Sequence, residues 1–270
     1  MEIQKIITTD QIKQVQDNQI IGNIILENSR IDFWGTGNIL YCEEPLHLKN
    51  AHIQFRGDHS LLYIASTKDT YQINVTMYHH STCYIGKDTY IHSHLNISVS
   101  EQQNFWIGKG CLLSFGTWFR TADPHLIYDC TTHQRMNPSQ SIFIGDHVWI
   151  GQDCLILKGT KIGSGSIIGG HSVLSHKTIP SNTSYAGNPA RKIKNNVYFT
   201  PESVHNFKDK DTEKSMRDDT DAYIFQDDTD TISFDEIDKK LKLLLKAEDK
   251  LVYLKNLTEN TPKNRFYIAS

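Results

Sequence analysis

The sequence predicts an all-β solenoid with an extruded loop and a C-terminal helical extension. Three observations carry that reading: a six-residue apolar period, one long interruption of it, and a change of pattern after residue 198. Aligned on the aliphatic position, Ile144, Ile150, Ile156, Ile162, Ile168 and Leu174 recur every six residues. Four residues after each stands something small: Val148, Cys154, Thr160, Ser166, Ser172 and Thr178. Glycine often follows the aliphatic residue, as at Gly145, Gly151, Gly163 and Gly169, and the same phase holds upstream at Ile85, Ile91, Ile97, then Ile107, Leu113 and Phe119. A helix would space its apolar residues by three and four, and a lone amphipathic strand by two. Period six suits short strands joined by tight turns and stacked coil upon coil. Glycine permits the crowded or positive-φ backbone that such corners demand.

Composition narrows the class. The 270 residues can bury a sizeable core, and a formal net charge of -3 from 28 basic and 31 acidic residues gives no global attraction to nucleic acid. The start, "MEIQKIITTDQIKQVQ", lacks the basic and apolar regions of a signal peptide, and no later run is long enough to be a transmembrane segment. Without an export signal, triplets such as Asn74-Val75-Thr76 carry no glycosylation argument. Cys42, Cys83, Cys111, Cys130 and Cys154 are far apart in no metal-like spacing, and Cys111 and Cys154 fall where the repeat wants a small inward residue. The expectation is a reduced, cytoplasmic protein.

"IGDHVWIG…ILKGTKIGSGSIIGGHSVL…AGNPARKIK" resembles the hexapeptide-repeat acyltransferases, well from about Ile85 to Lys194 and more weakly before. The resemblance implies a left-handed parallel β-helix with three hexads per coil, an exception to the right-handed crossover rule. Residues eighteen apart then become vertical neighbours, which puts Trp149, Ile167 and Tyr185 in one column and Gly151, Gly169 and Gly187 in the next. Trp149 precedes an inward residue and so faces out. The columns form a track rising roughly 4.8 Å per coil. It ends at "AGNPARK", Ala186 to Lys192, where Arg191 and Lys192 offer charge to phosphates. By resemblance, Trp149, Gly151, Gly169, Tyr185, Gly187, Pro189, Arg191 and Lys192 bind acetyl-CoA, whose pantetheine arm runs along the solenoid. The plainer role of the three glycines, as corner residues, is compatible with it.

From Phe119 to Ile144 the chain advances twenty-five residues where six would continue the repeat. About nineteen residues therefore loop out, more than a structureless loop usually holds without a function. "TADPHLIYD" in this loop is similar to the "T-A-x-H-P" segment of maltose and galactoside O-acetyltransferases. It is more similar to capsule and polysialic acid O-acetyltransferases, where "DPH" precedes "IGDHVWIG". The resemblance makes His125 and Trp149 the catalytic pair, with His125 the general base toward a sugar hydroxyl, a task histidine suits near neutral pH. Backbone N–H groups and the Trp149 indole are candidates for the oxyanion. Asp123 and Asp129 are the two candidates to hold the other ring nitrogen, and spacing does not choose between them. Arg135 and Asn137 either contact sugar or anchor the loop.

Other histidines invite less. His171 and His176 have the H-x4-H spacing of γ-class carbonic anhydrases, but at hexad positions shifted by one, and His147 is twenty-four residues before His171, not a whole number of coils. Catalytic zinc needs three converging ligands, so no metal is expected. His79, His80, His92 and His94 are simplest as solvated strand or turn residues, and "GSGSIIG" is a product of the repeat rather than a dinucleotide loop.

The domain reading is 1–198 for the β-helix, with irregular capping coils over 1–84 and the catalytic loop over 125–143, then 199–270 for an acidic linker and a C-terminal helix. The stretch "KDKDTEKSMRDDTDAYIFQDDTD" reads as linker. Ser233-Phe234-Asp235-Glu236 reads as a capping box, and Phe234, Ile237, Leu241, Leu244 and Leu251 as one helix face interrupted by Glu248. That face is expected to pack on the solenoid or on another subunit.

The function implied is an acetyl-CoA-dependent O-acetyltransferase acting on a bacterial surface carbohydrate of capsular or sialic acid type. A homotrimer with sites between adjacent solenoids is implied with it. The alternatives are N-acetylation of a nucleotide-linked amino sugar, a zinc lyase, and a scaffold without activity. Against the scaffold stand the polar loop carrying "DPH" and the outward Trp149.

Overall fold

The computed structural model describes residues 3–259 and 261–270. The chain winds into a three-sided parallel solenoid. A first and a second face carry eight strands each and a third face six, with a two-stranded segment below it. Along the chain each coil visits the third, first and second faces in turn. A short antiparallel strand, Gln4–Ile6, closes the edge of the first face against Arg30–Phe33, so the lowest coil does not present a bare row of peptide groups.

The inward residues of all three faces merge into one core, from Ile31 and Phe33 up to Leu174 and Ile179. The hexad phase is as expected: Ile144, Ile150, Ile156, Ile162, Ile168 and Leu174 are all fully buried. Cys111 and Cys154 fill small inward positions, with their thiol pKa values raised by burial.

The coil length differs from expectation in two places. Above residue 141 a coil takes eighteen residues, as in the pairing of Trp149 with Ile167 and Leu155 with Val173. Below it a coil takes twenty-two, as His52 pairs with Asn74, Asn74 with Asn96 and Asn96 with Trp118. The early coils, expected to be irregular, keep parallel register at a longer pitch that varies from face to face, as Gln19 pairs with Ile39, Leu61 with Thr82 and His52 with Asn74. From Ile97 to Ile107 the chain spends ten residues instead of six, and the extra ones lie at the corner between first and second faces. Glu101 and Gln102 turn that corner with positive φ, 51° and 57°.

Histidine supplies many other corners. His59, His80, His94, His147, His171 and His176 all have positive φ, a region where histidine is enriched among non-glycine residues. The second length difference is at the top, where Leu174 and Ile179 are both inward yet only five residues apart.

The outer surface of the second face is itself a core. Tyr63, Tyr84, Trp106 and Phe143 each precede an inward isoleucine and stack in an outward aromatic column. The C-terminal segment covers it. The acidic stretch holds one short helix, Asp209–Ser215, and the expected single C-terminal helix is two, Phe234–Leu243 and Ala247–Glu259. Ser233 caps the first of these by accepting from the Asp235 amide at 3.2 Å. Phe234, Ile237, Leu241, Leu251 and Leu254 bury against the aromatic column, so the helical stripe packs on its own solenoid.

Behind the helices, Phe266 meets Trp106 and Phe234 with ring centroids 5.6 and 4.7 Å apart. Its neighbour Arg265 donates to both oxygens of Asp146 at 2.7 and 2.8 Å, with both side chains fully buried. Asp146 also accepts the Lys109 amide at 2.9 Å, so the pair ties the C-terminal tail to two successive coils. Replacing Arg265 by alanine leaves Asp146 buried without its counter-charge, and we expect a loss of about 3–5 kcal/mol in urea denaturation. A loss below about 1 kcal/mol would show that the pair does not hold the tail.

Candidate active site

The interruption of the repeat leaves the solenoid at the corner between first and second faces. Strand Trp118–Arg120 ends the first face of one coil and Ile142–Ile144 opens the second. The base of the loop is pinched shut by the Thr121 amide donating to the Ser98 carbonyl and the Gln140 amide to the Thr121 carbonyl, 3.1 and 3.0 Å. Between them the chain folds as a small hairpin, bridged at Tyr128 and Arg135. Asp129 accepts the amides of Thr131 and Thr132 at its tip.

Three residues anchor this loop. Asn137 accepts the Ile127 amide at 2.9 Å and donates to the His125 carbonyl at 2.8 Å and to Asp123 at 3.1 Å, which fixes the "DPH" backbone. Lys158, buried on the next coil, donates to Asp123 at 2.6 Å and to the Asn137 carbonyl at 3.2 Å. The Lys158 ammonium holds the Asp123 carboxyl below its ordinary range, against a smaller opposing effect of burial. Arg135 makes a two-pronged contact with Glu101, at 2.7 and 2.9 Å, on the corner of the coil below. The enlarged corner of the lower coils is therefore the ledge on which the loop rests.

His125 is held by its backbone and its side chain is exposed. Neither candidate carboxylate orients its ring: Asp123 is taken by Lys158 and Asn137, and Asp129 by the hairpin tip. Asn137 and Arg135 serve as loop anchors here. Sequence reasoning missed Lys158 and Glu101, since their roles depend on which coils lie above and below the corner.

Trp149 is on the third face, 41% exposed, beside an inward Ile150. Its indole is 5.9 Å from the Phe199 ring, which stacks at 4.0 Å on His147, itself covered on the other side by Tyr223, also at 4.0 Å. Burial lowers the His147 pKa, consistent with a neutral ring bonded to the Phe199 carbonyl at 2.9 Å. The third face lies opposite the corner that carries the loop, so one chain does not bring His125 and Trp149 together.

The outward track follows the expected order for two coils and then slips. Trp149 stacks under Ile167, but Ile167 pairs with Ser184 and Ile168 with Tyr185. Tyr185 is therefore half-buried against the core rather than in the Trp149 column, and Ala186, not Gly187, lies over Gly169. The cause is the single residue missing between Leu174 and Ile179, which advances everything above by one. Gly151 and Gly169 do stand in one column, and neither has room for a side chain. A Cβ on Gly151 would meet the Gly170 amide at 2.5 Å, and one on Gly169 would meet the Ala186 Cβ at 2.9 Å. The chain then doubles back as an antiparallel hairpin through Gly187 and Pro189, which leaves Arg191 and Lys192 exposed on its return strand. Among the described residues no three histidine, cysteine or acidic side chains converge as for a metal; His171 is 3.8 Å from Asp153 and His176 bonds Ser175 at 2.9 Å.

Known proteins share this architecture. Residues 141–176 match the family model for bacterial transferase hexapeptide (six repeats). A polysialic acid O-acetyltransferase of Neisseria meningitidis is 30% identical over 128 residues, 46% of this chain and 58% of that protein. One from Escherichia coli O1:K1 / APEC is 31% identical over 119 residues, 44% of this chain and 38% of that one. The chain thus spans about half the length of the curated relatives it matches. The crystal structure of the polySia-specific acetyltransferase NeuO superposes with a TM-score of 0.64 at 28% identity, covering 73% of this chain and 93% of that one. The polysialic acid O-acetyltransferase OatWY gives 0.52 at 23%, covering 72% and 93%. Over residues 141–176 the chain thus carries the repeat of the bacterial hexapeptide transferase family, and its solenoid matches the left-handed parallel β-helix of these acetyltransferases. Within that family it is similar to the polysialic acid O-acetyltransferases.

Arg135 first and Ser139 second hold the Glu101 carboxyl down to about 2, from an ordinary 4.5. A carboxyl with a depressed folded pKa stabilises above its unfolded value, so this anchor is whole above 4.5 and is lost as pH falls toward about 2. Amide exchange of the loop should stay protected above that window and rise within it. Glu101→Gln should show the raised exchange already at neutral pH; equal protection in variant and wild type would rule out Glu101 as the anchor.

Proposed function

We propose that the protein is an acetyl-CoA-dependent O-acetyltransferase that acylates a hydroxyl of an acidic bacterial surface polysaccharide, of capsular or sialic acid type. The observation that carries the reading is the anchored "DPH" loop: Lys158, Asn137 and Glu101 hold its backbone while the His125 imidazole is left exposed. An exposed imidazole on a fixed backbone suits a base that must meet a substrate hydroxyl. The similarity to polysialic acid O-acetyltransferases supports the acceptor class.

In the proposed reaction His125 takes the proton of the acceptor hydroxyl as its oxygen attacks the thioester carbon. The tetrahedral oxyanion collapses, the C–S bond breaks, and the proton passes from the imidazolium to the thiolate of CoA. The Trp149 indole N–H or a backbone amide beside it donates to the oxyanion. The outward track by Trp149, Gly151 and Gly169 suits a thin flexible arm, and Arg191 and Lys192 suit its phosphates. Since His125 and Trp149 stand on opposite sides of one solenoid, the working unit we propose is a homotrimer in which the loop of one copy faces the third face of the next. The half-exposed Leu112, Trp149 and Ile167 column on that face supports it.

His125→Ala should lower acetyl transfer, read as CoA thiol release with polysialic acid as acceptor, by roughly 10²–10⁴. A near-normal rate with the fold intact would refute the role. Trp149→Ala should also be impaired, and refolding it together with His125→Ala should restore activity, because some mixed interfaces pair an intact histidine with an intact tryptophan. Additive inactivity in the mixture would place both residues in one chain's site.

A further inference from the structure

The outer surface of the first face, from residue 30 to residue 120, is built unlike the rest of the solenoid. Its inward positions are apolar throughout, Ile31 and Phe33 through Phe119. Its outward positions form vertical columns at the twenty-two-residue pitch. One runs His52, Asn74, Asn96, and the next Gln54, Thr76, Ser98, in direct register. Neighbouring rungs bond each other, Gln54 to Thr76 at 3.4 Å and Asn74 to Asn96 at 3.1 Å. The ladder of amides and hydroxyls climbs four coil steps from Arg30 to Trp118, about 19 Å at the usual strand spacing.

An indole under an arginine stands at each end. Near the bottom Arg56 lies over Trp34, 5.1 Å from the ring centroid, and at the top Arg120 lies over Trp118 at 4.9 Å. Trp34 and Trp118 are 43% and 41% exposed. Neither arginine pairs with a carboxylate among the described residues, whereas the nearby acids are occupied. Asp32 is engaged by Arg30 and His52, and Glu101 by Arg135. In a chain of net negative charge this face therefore offers uncompensated cations. Its top opens into a cleft of about 580 Å³ under the extruded loop, lined by Ser98, Arg120, Asp123 and Pro124 among others.

We propose that this face is a binding track for the polymeric acceptor, an anionic polysaccharide lying along the solenoid axis and feeding the cleft under the loop that carries His125. The chemistry matches part by part. Amides and hydroxyls exchange hydrogen bonds with sugar hydroxyls. The indoles take the apolar faces of sugar rings, and the arginines above them take carboxylates. A second copy of the chain is a poorer occupant, since the centre of an interface between copies is apolar. Apart from the two terminal indoles, outward apolar residues are found on this face only higher up, at Leu155, Leu157 and Val173. The proposal rests on the acetyltransferase reading for its acceptor class, but binding tests it apart from catalysis.

The test is electrophoresis of the whole chain in native gels containing long-chain polysialic acid, or neutral dextran as control. Wild type and His125→Ala should both be retarded by polysialic acid, less so as salt is added, and neither by dextran. Trp34→Ala and Arg56→Gln, both far from the loop, should each weaken retardation by about tenfold in apparent affinity. They should also raise KM for the long polymer more than for a short oligomer. Equal retardation of wild type and both variants, or none of wild type, overturns the track. So does a change in oligomeric state of these variants on size exclusion, which would make the face an interface between copies. Retardation without acetyl transfer to any carbohydrate would sink the enzymatic reading and leave the track standing.

Discussion

Parallel stacking is the constraint on which the rest of this molecule depends. Each strand satisfies its peptide groups only through the strands directly above and below, so every coil must present inward residues at the same heights as its neighbours. A residue added within a strand would turn the following side chains inside out. Length can change only at corners, and here the larger changes fall at one corner. The extra residues of the lower coils sit between first and second faces, and so does the extruded loop. Superposing them is what lets Glu101 on one coil and Lys158 on another hold the same loop from below and above.

With the inward side committed to a continuous core, the three outward faces are free to differ. The second became a second core, its aromatic column covered by the C-terminal helices and fastened by Arg265 on Asp146. The third carries Trp149 and the close-stacked Gly151 and Gly169. The first kept a polar, hydrogen-bonded ladder in its lower coils. The covering of the second face also explains the length of the C-terminal region. Tyr84 and Trp106, stacked at 3.9 Å and fully buried, would otherwise face water over several coils.

How far the fold was legible follows from the same constraint. Period six between Ile144 and Leu174 is a local signal repeated without error, and it gave the architecture, the inward set and the outward Trp149. The lower coils keep two hexads and stretch the third, so Ile85, Ile91 and Ile97 were visible while the coil length was not. The one-residue shortening after Leu174 was hidden because Thr178 still satisfied the small position of the pattern; its effect appeared only when Tyr185 paired with Ile168. The aromatic column was readable, as Tyr84, Trp106 and Phe143 each stand before Ile85, Ile107 and Ile144, but only with the coil length in hand. Long-range partners such as Asp146 and Arg265, 119 positions apart, leave no local trace.

The histidine of the loop shows what the division between backbone and side chain accomplishes. A catalytic imidazole is commonly steered by a carboxylate on its second nitrogen, and Asp123, two residues away, is the obvious donor of one. It is spent on Lys158 instead, and that ammonium keeps it ionised. The backbone around residue 125 is therefore fixed by buried and bidentate contacts, while its ring makes no hydrogen bond among the described residues. In the proposed trimer, groups of the neighbouring copy and of the sugar would orient it. On the proposed reading, a base completed in this way would abstract a proton efficiently only with both the assembly and the acceptor in place, and in their absence the same imidazole would be a poor activator of water at a thioester.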